Sequence, residues 1–234
     1  MAKQQVVLLP GLLNTRRLFQ NQQEDLADIA EFPVVPELFH YKTIGEAAQA
    51  VLEAAPAKFC LGGFSMGGYV AFEIMRRAPD RVQKLALIDT RATPDTPEDT
   101  KRRHGLIEQA RLPGHFKGVQ PSLLPGLIHP SQLHDTRITQ PILDMAEEVG
   151  AEGFMREQEA MIARADSRPT MATIRVPTLV IVGRQDMSTT LADAEAMATG
   201  IPDAQLVVIE ECGHMTVLER RAETSSALRR WLTQ

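Results

Sequence analysis

Seven consecutive residues, Gly62-Gly63-Phe64-Ser65-Met66-Gly67-Gly68, contain the pattern Gly-x-Ser-x-Gly with Ser65 at its centre. An apolar run over residues 59–62 precedes the pattern, and a helical spacing of apolar residues follows it and stops before Pro79. Strand, tight turn and helix in this order is the setting of a serine nucleophile on a sharp turn. The alternative is a glycine-rich turn in which the serine is incidental. We interpret Ser65 as a nucleophile.

Other apolar runs define a sheet around this turn. Strands buried on both faces are rich in Val, Ile and Leu, and this character is found at residues 6–9, 59–62, 85–88, 178–182 and 206–209. A weaker run, residues 32–35, is interrupted by Pro33 and closed by Pro36, so we expect it at or near a sheet edge. Helical patterns lie between the runs, the clearest starting behind Thr43 as N-cap. The alternation predicts an α/β fold with a parallel sheet covered on both faces.

The alternation is interrupted over residues 91–173, where no convincing strand occurs and prolines separate the helical stretches. Ile138, Ile142, Met145 and Val149 form one apolar helix face, and a second helical pattern follows from Met155. A structureless loop of this length is uncommon in a compact domain. We therefore expect a helical cap subdomain over residues 91–173, inserted into a core formed by residues 1–90 and 174–234.

Composition restricts the class of protein. The chain has 234 residues, of which 44% are hydrophobic and 24% charged, as in ordinary globular domains. Its formal net charge of −5 offers no basic patch for nucleic acid or an anionic membrane, and its 2 cysteines exclude a disulfide framework or a four-cysteine zinc site. No apolar run is long enough to span a membrane, and the first one stops at Pro10, which is too early for a secretory signal. We expect a cytoplasmic protein with neither a nucleic-acid nor a membrane partner; its oligomeric state stays open.

A nucleophilic serine needs a base, because its hydroxyl is barely ionised at neutral pH. Of the 6 histidines, His214 follows the last predicted strand, at the kind of strand end where open α/β sheets build their sites. Cys212 and Gly213 are small and allow the loop to bend. Four other histidines lie within residues 91–173 and could at most contact a substrate, and His40 is interpreted as a surface residue. His214 is therefore the candidate base.

The base in turn needs a carboxylate to fix its tautomer. Asp186 follows the strand at residues 178–182 after a short turn, and the chain order Ser65, Asp186, His214 is the one that the serine pattern predicts. Asp89 is a competitor, because it also ends a strand; it could instead cap a local loop. We favour Asp186, because its turn carries the carboxylate past the sheet and the interval to His214 leaves room for one helix and one strand.

Attack on a carbonyl also requires N–H donors for the developing oxyanion. The residue after the nucleophile, Met66, is expected to supply one donor. The second should come from the loop after the first strand, where Gly11 permits a turn and the N–H of Leu12 would face the site; Leu13 is less suitable. Pro10-Gly11 taken alone is only a turn signal.

Taken together, these residues resemble the α/β-hydrolase superfamily over nearly the whole chain, since the serine turn, the helical insertion, Gly-Arg-Gln-Asp and Cys-Gly-His occur in family order. Small bacterial carboxylesterases and the 3-oxoadipate enol-lactonase-like group are similar. Two features differ: Pro10-Gly11 replaces the usual His-Gly, which removes a loop-anchoring hydrogen bond, and the chain starts with what would be the third strand of the family. The resemblance implies the α/β-hydrolase fold with about six strands.

The resemblance also implies a serine hydrolase that cleaves a small carboxylic ester or lactone through an acyl-enzyme. Ser65, His214 and Asp186 would be the triad, the N–H groups of Leu12 and Met66 the oxyanion hole, and the cap would roof a mostly apolar pocket. No metal or cofactor is needed for this chemistry. Two alternatives stay open: other chemistry on the same residues (a C–C bond hydrolase, a lyase or a perhydrolase-like enzyme), and a non-catalytic binding protein, which would be expected to have lost a triad member.

Overall fold

The strands form one parallel sheet. A computed structural model of the chain describes residues 3–234. Six strands lie within these residues: β1 Gln4–Leu9, β2 Ala30–Glu31, β3 Phe59–Phe64, β4 Val82–Ile88, β5 Thr178–Gly183 and β6 Gln205–Ile209. Their order in the sheet is β2-β1-β3-β4-β5-β6, and every neighbouring pair is parallel. The expected α/β fold with about six strands is confirmed.

Helices connect the strands and cover the sheet. They are α1 Gln20–Asp25, α2 Ile44–Ala54, α3 Met66–Arg77, α4 Pro97–Arg111, α5 Thr136–Ile162, α6 Arg168–Met171, α7 Leu191–Gly200, α8 Thr216–Glu219 and α9 Arg221–Thr233. Short 3-10 turns add Arg16–Phe19, Leu38–His40, Pro79–Arg81, Pro121–Gly126 and Pro130–Gln132. As expected, the Thr43 side chain caps α2 by accepting a hydrogen bond from the Glu46 N–H. In the part of the chain that the structure describes, no helix combines the length and apolarity needed to cross a bilayer.

Two apolar cores lie on opposite faces of the sheet, because successive strand residues point to opposite sides. Val7, Leu61 and Val180 pack with α2, α3 and α7 in one core. Their chain neighbours in the same strands pack with α9, including its Trp231, in the other. Each fully buried Val, Leu or Ile side chain contributes about 1.5–3 kcal/mol to folding. This two-sided burial holds the strand ends in fixed register.

One strand prediction is wrong in position. The edge strand β2 consists of Ala30 and Glu31, paired with β1, and not of residues 32–35. Pro33 has no N–H to donate to a ladder, and Val34 is 70% exposed, so pairing stops before the apolar run starts. The expectation that this strand lies at the sheet edge is confirmed.

Between β4 and β5 the described residues form helices and no strand, as expected. The apolar face of α5 is buried, with Ile138, Ile142 and Met145 in the core that also contains α9. The two predicted helical stretches meet at Gly150, whose φ of 66° and ψ of −179° break the helix. The division into core and cap at residues 91 and 173 stays a prediction.

A buried ionic cluster joins this helical segment to the end of β4. The Asp95 carboxylate is 1% exposed and contacts Arg103 of α4 and Arg164 beyond α5, each at 2.6 Å, and Arg91 at 3.1 Å. The Arg164 guanidinium also lies over the Tyr69 ring of α3, 4.3 Å from its centroid. Burial alone would raise the pKa of Asp95, but the Arg103 and Arg164 guanidinium groups outweigh it and lower that pKa. The cluster is an electrostatic anchor for α4 and α5.

We expect Asp95→Asn to lower the free energy of unfolding at pH 7 by about 3 kcal/mol, because it leaves buried guanidinium charge uncompensated. A depressed carboxyl pKa contributes stability above the ordinary value near 4, and this contribution disappears as the pH falls through the folded-state pKa. The gap between wild type and variant should therefore shrink below about pH 4. Urea unfolding at several pH values measures it, with the half-exposed Asp144→Asn as control; a gap that is small or independent of pH contradicts the assignment.

Candidate active site

Ser65 occupies the turn between β3 and α3. Its φ of 50° and ψ of −116° place a non-glycine residue in the left-handed region of φ, which is strained. Two hydrogen bonds hold it there: its N–H donates to the Ile88 carbonyl at 2.9 Å, and the Thr90 hydroxyl donates to its carbonyl at 2.7 Å. Both partners lie at the end of β4. The neighbouring strand thus stabilises the conformation that exposes the Ser65 side chain.

The glycines of the turn are required by close approach. A Cβ at Gly63 would lie 2.5 Å from the Gly67 carbonyl oxygen, and a Cβ at Gly67 would overlap the carbonyl oxygen of Leu9 in β1. Both collisions involve backbone that cannot move aside. Both positions accept only glycine with this geometry.

His214 connects Ser65 to Asp186. Its Nε2 lies 3.0 Å from the Ser65 Oγ, and its Nδ1 lies 2.7 Å from the Asp186 Oδ2. His214 is 6% exposed and Asp186 is 5% exposed, whereas Ser65 is half-buried. Burial alone would raise the pKa of Asp186, but His214 and the hydrogen bonds from Thr189 outweigh it and lower that pKa. An ionised Asp186 accepts the Nδ1–H and leaves Nε2 to accept the serine proton.

The loop of Asp186 (the acid loop) and the loop of His214 (the base loop) lie side by side, because they follow the adjacent strands β5 and β6. The Gln185 N–H donates to the Cys212 carbonyl at 2.9 Å, and the Cys212 N–H donates to the Gln185 side chain at 3.0 Å. Asp186 itself accepts from the Ser188 and Thr189 N–H groups and from the Thr189 hydroxyl at 2.7–3.0 Å. These bonds fix both carboxylate oxygens before a substrate arrives.

Asp89, the competing aspartate, makes no hydrogen bond to His214. It is fully buried with φ 43°, and it accepts from the Gly183 N–H at 3.1 Å and from the Thr216 hydroxyl at 2.6 Å and N–H at 3.2 Å. Burial and the nearby Asp186 raise the pKa of Asp89 well above its usual range, against the effect of these donors. Asp89 links the end of β5 to α8 and carries the local structural role that was its alternative interpretation.

The backbone N–H groups of Met66 and Leu12 lie close to Ser65 and make no hydrogen bond within residues 3–234. Met66 is the first residue of α3, so its N–H points out of the positive end of the helix dipole. The loop of Leu12 passes close to the nucleophile, since a Cβ at Gly11 would lie 3.0 Å from the Ser65 Cβ. The Leu13 N–H, in contrast, donates to Glu157. The two predicted donors are thus free of other hydrogen bonds in this part of the structure, and their role as an oxyanion hole stays a prediction.

Sequence reasoning missed Glu219, which shapes the base loop. This residue is 6% exposed, and its carboxylate accepts from the N–H groups of Gly213 and Met215 at 3.0 Å, on either side of His214. It also accepts from the His129 N–H at 2.7 Å, while the His214 N–H donates to the Leu127 carbonyl at 2.8 Å. The helical insertion thus contacts the base loop directly. Its position five residues after His214 carries no signal of its own in a single sequence.

The remaining histidines do not join this cluster. His40, His104, His115 and His134 are exposed, and His129 is half-buried with its Nδ1 near the Ser131 hydroxyl. The arrangement of Ser65, His214 and Asp186 can move a proton from the serine hydroxyl to Nε2 while the carboxylate stabilises the positive ring. Donors for an oxyanion lie beside the same serine.

Comparison with known proteins identifies the family of this chain. The sequence model of a family described as "Alpha/beta hydrolase family" matches residues 6–227. The 3-oxoadipate enol-lactonase 2 of Acinetobacter baylyi is 30% identical over 170 residues, which cover 72% of this chain and 61% of that protein. A pimeloyl-[acyl-carrier protein] methyl ester esterase of Neisseria meningitidis is 28% identical over 191 residues, 80% of this chain and 74% of that protein. The aligned part of this chain thus spans less than two thirds of the enol-lactonase.

Solved structures share the fold. A thermophilic esterase from Thermogutta terrifontis superposes with a TM-score of 0.88 at 31% identity, over 99% of this chain and 90% of that one. The enol-lactonase from Burkholderia xenovorans superposes with a TM-score of 0.86 at 23% identity, over 100% and 93% of the two chains, a likeness of fold alone.

The contrasting environments of the two aspartates predict different effects. Asp186→Asn should keep the fold and lower turnover by up to ~10⁴ at neutral pH, because an amide favours the wrong imidazole tautomer. Asp89→Asn should cost about 1–3 kcal/mol of stability, through weakened hydrogen bonds to Thr216, with a much smaller kinetic effect. Steady-state kinetics and thermal unfolding of both variants distinguish these outcomes. The assignment of Asp186 fails if the larger kinetic loss belongs to Asp89→Asn.

Proposed function

We propose that this chain, which belongs to the α/β-hydrolase family, is a serine hydrolase that cleaves a small carboxylic ester or lactone through an acyl-enzyme. The observation that carries the proposal is the continuous line of hydrogen bonds from Ser65 through His214 to Asp186. The relatives named enol-lactonase, methyl ester esterase and esterase support ester cleavage as the class of reaction.

In the first half of the proposed reaction, Ser65 Oγ attacks the ester carbonyl and passes its proton to His214 Nε2. Asp186 holds the ring by its Nδ1–H and stabilises the imidazolium. The carbonyl oxygen becomes negative and accepts hydrogen bonds from the N–H groups of Leu12 and Met66. The bond to the leaving oxygen then breaks, and the imidazolium protonates the departing alkoxide. An acyl group stays on Ser65.

The second half repeats these steps with water. His214 takes a proton from a water molecule, whose oxygen attacks the acyl carbonyl under the same two N–H groups. The imidazolium returns its proton to Ser65 Oγ as the carboxylic acid leaves. A lactone follows the same course, except that the leaving alkoxide stays attached to the acyl group. These steps use no metal or cofactor.

The helical insertion is the proposed specificity element. Leu13 lies in the loop that carries Leu12 (residues 10–14, the oxyanion loop) and packs with Ala146, Val149 and Phe154 of α5 in an apolar cluster. The Phe154 ring pairs with the Phe116 ring at 5.3 Å, and Phe116 borders a cavity of about 350 Å³ between the end of α4 and the middle of α5. The apolar cluster, which Leu12 also contacts, favours a substrate with an apolar acyl or alcohol part. The cytoplasmic location stays a prediction.

Ser65→Ala should lower ester turnover by ~10³ or more, because it removes the nucleophile and leaves only binding and the oxyanion donors. The measurement uses p-nitrophenyl esters of rising acyl length, with a fluorophosphonate probe that labels activated serines. We expect one adduct, mapped by mass spectrometry to Ser65 and absent from the variant. An adduct on another residue refutes the role of Ser65, and labelling of Ser65 without turnover of any ester or lactone favours other chemistry on the same triad.

Phe116→Ala should extend the acyl range, because it enlarges the cavity next to the apolar cluster. We expect the ratio of octanoate to acetate hydrolysis to rise about fourfold, the effect of roughly one additional buried methylene. The exposed Leu123, also in the insertion, supplies the control Leu123→Ala, which should leave the ratio unchanged. Equal ratios in wild type and Phe116→Ala would mean that these apolar faces only pack the insertion onto the core.

A further inference from the structure

A carboxyl group of the helical insertion reaches the loop that holds Leu12. Glu157 lies in the second half of α5 and is 1% exposed. Its Oε2 accepts a hydrogen bond from the Leu13 N–H at 3.0 Å. Its Oε1 is buried and has no partner within residues 3–234. The oxyanion loop is therefore the one hydrogen-bond partner of this side chain in the described structure.

The loop needs such a partner because its backbone is strained. Leu13 has φ 58°, in the left-handed region, although it is not glycine. A hydrogen bond from Asn14 N–H to the Gly11 carbonyl at 3.2 Å closes the turn but leaves the Leu13 N–H to find an acceptor elsewhere. Leu13, Asn14 and Thr15 are buried, so water is not a ready substitute. Glu157 supplies the missing acceptor.

The Leu12 and Leu13 N–H groups belong to consecutive peptide units, so the orientation of one restricts the other. Because Glu157 occupies the Leu13 N–H, the Leu12 N–H is the one left for a substrate oxygen. We propose that Glu157 is a positioning residue, which fixes the Leu13 peptide and thereby aims the Leu12 N–H at the oxyanion. This inference rests on the proposed function and adds that the insertion helps to assemble the oxyanion hole.

The carboxyl suits this task in its neutral form. Burial raises the pKa of Glu157 well above its ordinary value, and the nearby Glu37 adds to this rise, while the Leu13 N–H opposes it. A neutral carboxyl keeps one carbonyl-type oxygen that accepts the N–H. Glutamine offers the same acceptor at the same distance, whereas methionine has nearly the same length without an oxygen.

The test compares Glu157→Gln with Glu157→Met. We expect Glu157→Met to lower kcat about tenfold or more with KM changed less than threefold, since a misplaced oxyanion donor weakens transition-state binding. Glu157→Gln should recover kcat to within about threefold of wild type. Rates are expressed per fluorophosphonate-reactive site, so that loss of folded protein does not count. Glu147→Met, at an exposed position of the same helix, is the matched control and should keep the wild-type kcat.

A second readout separates positioning from simple packing. A trifluoromethyl ketone adds to Ser65 Oγ, and its oxygen becomes an oxyanion, so its inhibition constant should rise by the same factor by which kcat/KM falls in Glu157→Met. If that variant does not fold, Glu157→Asp replaces it, because its shorter side chain withdraws the acceptor from Leu13. Equal kcat per site in the Gln and Met (or Asp) variants, or an unchanged inhibition constant, overturns the inference. The proposed function fails separately, if wild type hydrolyses no ester or lactone.

Discussion

The Ser65 backbone lies at φ 50° because β3 turns into α3 within a single residue. Such a conformation persists only where the surroundings fix it, and here the end of β4 does so through the Ile88 carbonyl and the Thr90 hydroxyl. The same turn brings α3 so close to β1 that Gly67 can carry no side chain. The parallel sheet, buried on both faces, supplies the rigidity. Every other part of the candidate site is arranged around this serine.

Four buried carboxyl groups connect elements of the core, the candidate site and the helical insertion. Asp89 ties the end of β5 to α8, Glu219 holds both sides of His214, Glu157 holds the oxyanion loop, and Asp95 anchors α4 and α5. Buried carboxyls are costly unless they are neutral, ion-paired or accept several hydrogen bonds. Asp95 meets this condition through arginines, and Glu219 and Asp89 through the hydrogen bonds that they accept, whereas burial raises the pKa of Glu157, which favours its neutral form. Glu219 connects the helical insertion to the loop of His214, and Glu157 connects it to the loop of Leu12, so the insertion and the candidate site form one polar framework.

Short-range patterns in the sequence predict much of this architecture. The central strands are nearly continuous apolar runs, so the sequence predicts their positions. Ser65, Asp186 and His214 each follow the end of one of these parallel strands, and they therefore meet at one edge of the sheet. The predicted position of the edge strand is wrong, because a strand of two residues leaves no periodic pattern and Pro33 keeps the apolar residues beyond it from pairing with β1. Glu157 and Glu219 could not be recognised, since a glutamate in a helix normally faces water, and only the tertiary contacts reveal their burial.

An acyl-enzyme on the path is the central claim, and partitioning between water and methanol tests it most directly. The phenyl and p-nitrophenyl esters of one carboxylic acid would both pass through the same acyl group on Ser65. With a fixed methanol concentration, the ratio of methyl ester to free acid among the products of the phenyl and p-nitrophenyl esters should then be identical, although their rates of consumption differ. A ratio that changes with the leaving group would mean that no common acyl-enzyme forms, and would contradict the account.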